Sequence, residues 1–394
     1  MNLLGRLLKG FRFGVLPVPG RLLAVIFFVF LFILPQVVHL SNYWLLVLTF
    51  CSIFAIFAAS WDVLSGYTGQ VNFGHALFFG IGAYGSALLW KYVTQPGDAG
   101  TVVHLLQPWV TIPLGAVCAT VAGVITCFPA LRLRGPYLSM LTLAFPLMLL
   151  GVVFSFKDIT GGEHGITEIP RLAATRFDEY YICLIVMTVA VLIMWKLTDA
   201  GSRYVRTGLI FHAIREDEIA ARALGINTIR YKVLAFAIGG LFAGIAGGLY
   251  AHVMQVAGPS TLVLPMSFQA IIWVVFGGIV SIYGAVVGAY TLYPLVEILR
   301  GPIPQYRLLV LPVIVILVLL FMPQGIAVWI RNKIERECPR CKLTNVAWRK
   351  ECRACSASLR CGIVNCTGRA RFQTLSPRQI QISKSQALNC VGLS

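Results

Sequence analysis

The chain has 394 residues, of which 58% are apolar and only 12% charged, with a net charge of +17 and a mean hydropathy of +0.81. About a quarter of the residues of a soluble domain are charged, so this composition excludes an ordinary soluble protein. The last 64 residues carry 13 Lys and Arg against three Glu, which favours a cytosolic membrane flank over the alternative reading, a nucleic-acid-binding tail.

Apolar runs of the length that crosses a membrane as a helix follow one another along most of the chain. The runs are continuous rather than alternating, so they predict helices and not barrel strands. The first run is too long for a cleavable signal core, so we expect it to remain in the protein. The predicted spans are 22–40, 43–60, 71–93, 109–130, 137–156, 180–197, 233–256, 267–280, 282–299 and 305–326.

The predicted fold is an all-α polytopic membrane protein whose membrane domain covers residues 1–330, with about 10 transmembrane or half-membrane helices. The eighth and ninth spans are short and meet at a Gly-rich stretch, so they are candidates for the half-helices of a hairpin. Basic residues gather on the cytosolic side of membrane proteins. Their positions put the N-terminus, the 203–230 loop and the C-terminal tail on the cytosolic side of the membrane.

Polar residues enter the third span in the stretch GYTGQVNFGHALFFG. Gln70, Asn72, Gly74 and His75 are candidates for a translocation path, on an interrupted helix whose free backbone groups would meet a polar substrate. Tight helix packing through small residues is the alternative reading of the glycines. The sequence contains no recognisable catalytic or phosphate-binding motif, so we predict neither an enzyme nor a cofactor in the membrane domain.

A charged, helix-forming stretch, TGLIFHAIREDEIAARALGIN, lies between two apolar runs at residues 207–227. Asp217 predicts an N-cap and Gly225 a left-handed C-terminal cap, while Glu218 and Arg222 have the spacing of a favourable ion pair. So short a helix is not stable alone, and its apolar side consists mostly of small residues. It is either a solvated connector or a helix that docks in a groove of another protein.

This stretch resembles the cytosolic loop of ABC importer permeases, in which a motif of E-A-A, three residues and Gly docks on the ATP-hydrolysing subunit. Ala220, Ala221 and Gly225 match the motif, while Ile219 stands at the Glu position and Glu218 one place earlier. The resemblance covers about residues 40–330 and is to the branched-chain amino-acid branch. Further matching stretches are 66–89, 131–145, 160–166 and 276–289. The docking residues that it implies are Asp217, Glu218, Ala220, Ala221, Arg222 and Gly225.

The resemblance implies a permease subunit that imports branched-chain or other small neutral amino acids. It also implies two ABC ATPase subunits docked on the 203–230 loop, a second homologous permease and a periplasmic substrate-binding protein. ATP hydrolysis would belong to the partner subunits. One alternative is a permease for urea or short amides. The other, from a different class, is a membrane-anchored zinc-ribbon sensor or nucleic-acid-binding protein.

The tail contains CPRCKLTNVAWRKECRAC, which spaces four cysteines as C-x2-C-x10-C-x2-C. Two such knuckles complete a tetrahedral Zn²⁺ site, and four thiolates close it, so the predicted site is structural. Disulfides or free thiols are the alternative, which a reducing cytosol disfavours. We expect a zinc-ribbon-like module at 331–366 and a disordered tail at 367–394, both outside the family pattern. The predicted ligands are Cys338, Cys341, Cys352 and Cys355.

Overall fold

The computed structural model describes residues 19–38, 41–93, 108–133, 135–199, 206–300, 307–322, 324–337 and 344–346. The chain forms two compact units, the first ending at Ile334 and the second beginning at Glu335. The first unit is helical in its described part. In the second unit, two short strands pair in antiparallel register, with Glu335 opposite Val346 and Glu337 opposite Thr344.

Each of the ten predicted spans has a helix at its position, and short helices occupy the loops. The helices are α1 (Pro19–Val37), α2 (Asn42–Trp61), α3 (Ala76–Val93), α4 (Pro108–Ala130), α5 (Pro136–Ser155), α6 (Lys157–Thr160), α7 (Arg176–Thr198), α8 (Thr207–Glu216), α9 (Glu218–Ala223), α10 (Thr228–Met254), α11 (Leu264–Gly277), α12 (Ile282–Leu299), α13 (Arg307–Phe321) and α14 (Ile326–Ile334). The strands are β1 (Glu335–Glu337) and β2 (Thr344–Val346). The predicted boundary at residue 330 falls inside α14.

Among the described residues, seven helices are long and apolar enough to cross a membrane. They include both members of the hairpin suggested as half-helices. The eighth span forms a 19-residue helical segment because a 3-10 turn at Pro259–Thr261 precedes α11, and α12 has 18 residues. Both therefore reach the length of a crossing, which does not favour the half-helix reading.

The centre of the first unit is the packing of α3, α4 and α10, where glycines bring backbones together. A Cβ on Gly82 of α3 would lie 2.5 Å from the Cα of Gly244 in α10. A Cβ on Gly247 would lie 2.8 Å from the carbonyl carbon of Phe79 and 3.0 Å from the nitrogen of Ala83. Small residues allow membrane helices to approach this closely. Helix packing therefore accounts for these glycines.

The second helix is the most enclosed of the seven candidate spans. Of its most apolar window, 83% is buried, compared with 22% for α5 at the periphery. Phe54 lies among aromatic rings from other helices, with centroids 4.9 Å from Trp273 and 5.1 Å from Tyr293. Such offset and tilted ring pairs stabilise a core beyond their buried area. The end of α2 is therefore held firmly where it meets the polar segment that follows it.

Candidate functional site

The N-terminus of α9 is capped as the sequence predicts. Asp217 has an extended backbone, and its Oδ1 accepts hydrogen bonds from the backbone N–H groups of Ile219 at 2.8 Å and Ala220 at 3.0 Å. These two donors would otherwise have no partner within the helix. The cap also places α9 directly after α8, with no connecting loop between them.

The C-terminus of α9 ends in the predicted left-handed cap. Gly225 has a φ of +82°. Its N–H donates to the carbonyl of Arg222 at 2.9 Å, and the N–H of Ile226 donates to the carbonyl of Ala221 at 3.1 Å. This pair of bonds is the Schellman motif, which satisfies the last carbonyls of a helix. A six-residue helix that cannot form alone is thus stabilised at both ends.

Glu218 connects α9 to the start of α10. Its carboxylate pairs with Arg222, as predicted, and also with the ammonium of Lys232 at 2.9 Å, which the sequence did not indicate. The Nε of Arg222 donates to the hydroxyl of Thr228 at 2.9 Å. Burial raises the pKa of Glu218, but the hydrogen bond and charge of Lys232 and the charge of Arg222 outweigh it, so its pKa is lowered.

This lowered pKa predicts how the α9–α10 contact depends on pH. The pKa of Glu218 is lower in the folded chain than in the unfolded chain. The contact therefore stabilises α9 to its full extent at pH values above the unfolded pKa. This stabilisation is lost as the pH falls through the folded pKa. Hydrogen exchange of the α9 amides measures the effect. We expect wild type to be better protected than Glu218→Gln at neutral pH and the difference to vanish in acid. An equal difference at every pH would contradict the ion-pair account.

The outer side of α9 is apolar and exposed. Ile219 is 69% exposed and Leu224 80% exposed, and Ala220 and Ala223 are exposed between them. Ala221, by contrast, is only 2% exposed, so it packs inward and positions the helix. Exposed large apolar side chains grouped on one otherwise charged element indicate a protein-interaction surface.

A groove of about 580 Å³ lies beside α9. It opens between the end of α9, α8 and the first turns of α10, and apolar side chains predominate in its wall. The exposed apolar side chains of α9 project beside this groove, so a partner protein can contact both. The groove is lined by Ile210, Gly225, Ile226, Asn227, Arg230, Tyr231 and Leu234.

The stretch predicted as part of an interrupted helix at the third span is non-helical just before residue 76. A π-helical turn at Asp62–Gly66 follows α2, and α3 begins only at Ala76. We call residues 62–75 the helix break. The predicted path residues Gln70, Asn72 and His75 all lie in it, at 5%, 2% and 0% exposure. Gly74 is buried there as well.

Side chains of the chain itself satisfy the polar groups of the helix break. The Nε2 of His75 lies 2.8 Å from the Ser60 hydroxyl, and the Gln70 amide donates to Thr68 at 3.0 Å. The Asn72 Oδ1 accepts the N–H of Gly74 at 2.8 Å. Two of the backbone N–H groups at this stretch are also occupied. The backbone N–H of Phe73 donates to the Thr142 hydroxyl, and that of Ala76 donates to the Ser267 hydroxyl. A role in the translocation path stays a prediction.

No local pattern in the sequence indicates the second buried histidine. His252 of α10 is fully buried, and its Nδ1 lies 2.9 Å from the Pro170 carbonyl, to which it donates. Its Nε2 is therefore the acceptor nitrogen, and it lies 2.9 Å from the Ser86 hydroxyl and 3.0 Å from the Thr111 hydroxyl. The imidazole joins α3, α4 and α10 to the loop before α7. This end of the bundle is opposite the end that carries α9.

The four cysteines predicted to bind zinc, Cys338, Cys341, Cys352 and Cys355, lie outside the described residues. Strands β1 and β2 flank the position of the first knuckle. Within the described ranges, no group of three or more His, Cys, Asp or Glu side chains is arranged to hold a metal ion. The zinc site therefore stays a prediction.

The profile of one protein family, "Branched-chain amino acid transport system / permease component", matches residues 43–320. The chain is 29% identical over 311 residues to the high-affinity branched-chain amino acid transport system permease protein LivM of Salmonella typhimurium, covering 73% of this chain and 70% of that protein. For LivM of Escherichia coli, the identity is 29% over 327 residues, with coverage of 77% and 72%. For LivH of Escherichia coli, it is 28% over 296 residues, with coverage of 71% and 92%.

No solved structure matches the chain. The family match extends from α2 into α13 and includes the helix break, the capped α9 and the glycine packing of α3 with α10. These are the elements on which the resemblance in the sequence rests. The chain therefore belongs to the family of permease components of branched-chain amino acid transport systems.

Proposed function

We propose that the chain is the membrane subunit of an ABC importer that moves branched-chain or other small neutral amino acids across the bacterial inner membrane. The relatives named LivM and LivH support this substrate class and support a second, homologous permease beside this chain. A periplasmic binding protein delivers the substrate. The N-terminus and the C-terminal tail lie in the cytoplasm, as their basic residues favour.

The observation that carries this function is the capped α9 with its exposed apolar side. ATP hydrolysis belongs to two partner ATPase subunits, each of which needs a firm contact on the membrane subunits. Ile219 and Leu224 supply apolar area for that contact, and the adjacent groove accepts a side chain from the partner. Asp217, Glu218 and Arg222 hold α9 in place, because their bonds fix it to its caps and to α10.

The helix break is the proposed start of the translocation path. In this proposal, Gln70, Asn72, Gly74 and His75 keep an irregular backbone inside the bundle, as non-helical backbone at membrane depth requires protein or water around it. The hydrogen bonds that these residues make within the chain support a structural role in shaping the path. The binding protein would supply most of the substrate specificity.

The substrate class is tested by calorimetry on the binding protein encoded beside this permease. We expect micromolar or tighter binding of leucine, isoleucine or valine and no measurable binding of urea or acetamide. Tight binding of urea or a short amide would instead assign the importer to that alternative class. Absence of neighbouring ATPase and binding-protein genes would favour the membrane-anchored zinc-ribbon alternative.

The tail is proposed to hold one structural Zn²⁺ through Cys338, Cys341, Cys352 and Cys355. We expect the purified full-length chain to contain close to one zinc per protein and the Cys352→Ser variant to lose it, because three thiolates no longer close the site. Metal analysis with thiol titration measures both. Absence of zinc, with all four thiols reacting freely in the folded wild-type protein, would exclude the site. A stably inserted chain ending at residue 335 is expected to retain uptake.

A further inference from the structure

A buried carboxylate joins two parts of the membrane domain that are far apart in sequence. Asp62, the first residue of the helix break, is fully buried. Its Oδ1 accepts the backbone N–H of Val280 at 2.9 Å, and its Oδ2 accepts the N–H of Ser281 at 2.9 Å. Both oxygens thus serve as acceptors for consecutive N–H groups in the turn between α11 and α12. The helix break is thereby fastened to that turn.

The turn is strained, and the carboxylate compensates for the strain. Val280 has a φ of +63°, a conformation that a β-branched residue rarely adopts and keeps only where its surroundings enforce it. Consecutive N–H groups in such a turn form a concave site for an anion. Ser281 caps the start of α12 by accepting the N–H of Gly284 at 3.1 Å. Asp62 therefore holds the residue that caps α12.

The other side of the helix break contacts the cytosolic helix that precedes α9. The Tyr67 ring packs edge-on against His212 of α8, with centroids 5.4 Å apart. A Cβ on Gly69 would lie 3.3 Å from the Cγ of Arg215, so the backbone of the break lies directly against α8. One folded segment therefore touches α8 on one side and, through Asp62, the start of α12 on the other.

We propose that Asp62 is a positioning residue for transport, because it transmits displacement of α8 and α9 to the α11–α12 turn. The proposal rests on the proposed docking of ATPase subunits at α9. When the ATPases move α9, α8 carries the helix break with it, and the two hydrogen bonds of Asp62 pull on the N-terminus of α12. Without these bonds the ATPases still bind and hydrolyse ATP, but less of that motion reaches the membrane helices.

Two variants remove the contact in different ways. Asp62→Asn places an amide donor where an acceptor is needed, opposite a backbone N–H. Gly66→Ala leaves the charge unchanged but displaces the carboxylate, because its Cβ would lie 2.9 Å from the Asp62 Cγ and 3.3 Å from the Val280 nitrogen. Gly151→Ala is the matched control, since nothing lies within 4 Å of a Cβ at that position.

The experiment measures amino-acid uptake per ATP hydrolysed in proteoliposomes that hold the complete complex. ATPase co-purification and membrane abundance are measured for the same variants. We expect Asp62→Asn and Gly66→Ala to keep their ATPase subunits but to lose at least about tenfold in uptake per ATP. A factor of about ten corresponds to the loss of one charge-assisted hydrogen bond. Gly151→Ala should equal wild type. Wild-type uptake per ATP in both variants would overturn the proposal.

Val280→Gly separates positioning from simple stabilisation of the turn, because glycine adopts a positive φ without strain. In the double variant with Asp62→Asn, Val280→Gly should restore any membrane abundance that Asp62→Asn has lost. Uptake per ATP should nevertheless stay low. Full recovery of uptake per ATP in the double variant, or a loss of abundance that Val280→Gly does not repair, would contradict the positioning role. Failure of the wild-type complex to bind ATPases at α9 would instead refute the proposed function.

Discussion

Replacing Leu224 with aspartate is expected to abolish association of the ATPase subunits and, with it, uptake. Leu224 is 80% exposed at the end of α9, and Ile219 near its start is 69% exposed. Burying a leucine side chain in an interface is worth about 1.5–3 kcal/mol, and an unpaired carboxylate in its place adds a desolvation cost. Together these predict a loss of affinity of about 100-fold or more. Co-purification of the ATPases with the tagged permease measures it.

A matched control separates docking from folding. Ile159 is 47% exposed on α6, which lies at the opposite end of the bundle, so Ile159→Asp should retain the ATPases. Gly225→Val is a milder test, because nothing lies within 4 Å of a Cβ there and only the φ of +82° is strained, at about 1–2 kcal/mol. Normal ATPase recovery and uptake with Leu224→Asp, at normal abundance, would mean that α9 is only a connector.

Gly247→Val is expected to deplete the folded protein from the membrane. Its Cβ would lie 2.8 Å from the carbonyl carbon of Phe79, and backbone cannot move aside as a flexible side chain can. The helices α3 and α10 must separate, at a cost of about 3 kcal/mol or more out of a total stability of about 5–15 kcal/mol. Membrane abundance and the thermal midpoint in detergent measure the loss. The control Gly151→Val should match wild type, and equal stability of both variants would contradict the close helix packing.

Local signals explain why α9 could be predicted in detail. Asp217, Gly225 and the Glu218–Arg222 pair act within one or two turns, and each is found as the sequence indicates. Lys232 also binds Glu218, but only because α9 folds back on α10, and no local pattern encodes that orientation. Likewise, apolar runs predict helices, but not which face of each helix is buried.

Features that depend on contacts between residues far apart in the sequence could not be predicted. The third span was predicted to begin at residue 71, but α3 begins at Ala76 because the preceding residues bond with one another instead of continuing a helix. The partners of Asp62 are 218 and 219 residues away. A single acid between two apolar runs is visible in the sequence, but the turn that receives it exists only once α11 and α12 have packed. His252 was missed for the same reason.

ATP-driven uptake is the decisive measurement for the proposed function. The permease is reconstituted in proteoliposomes with its partner permease, the two ATPases and the binding protein, and uptake of radiolabelled leucine and urea is compared. We expect leucine accumulation that requires ATP and the binding protein and is lost with Leu224→Asp. Accumulation of urea but not leucine, or leucine uptake that persists without ATP, would contradict it.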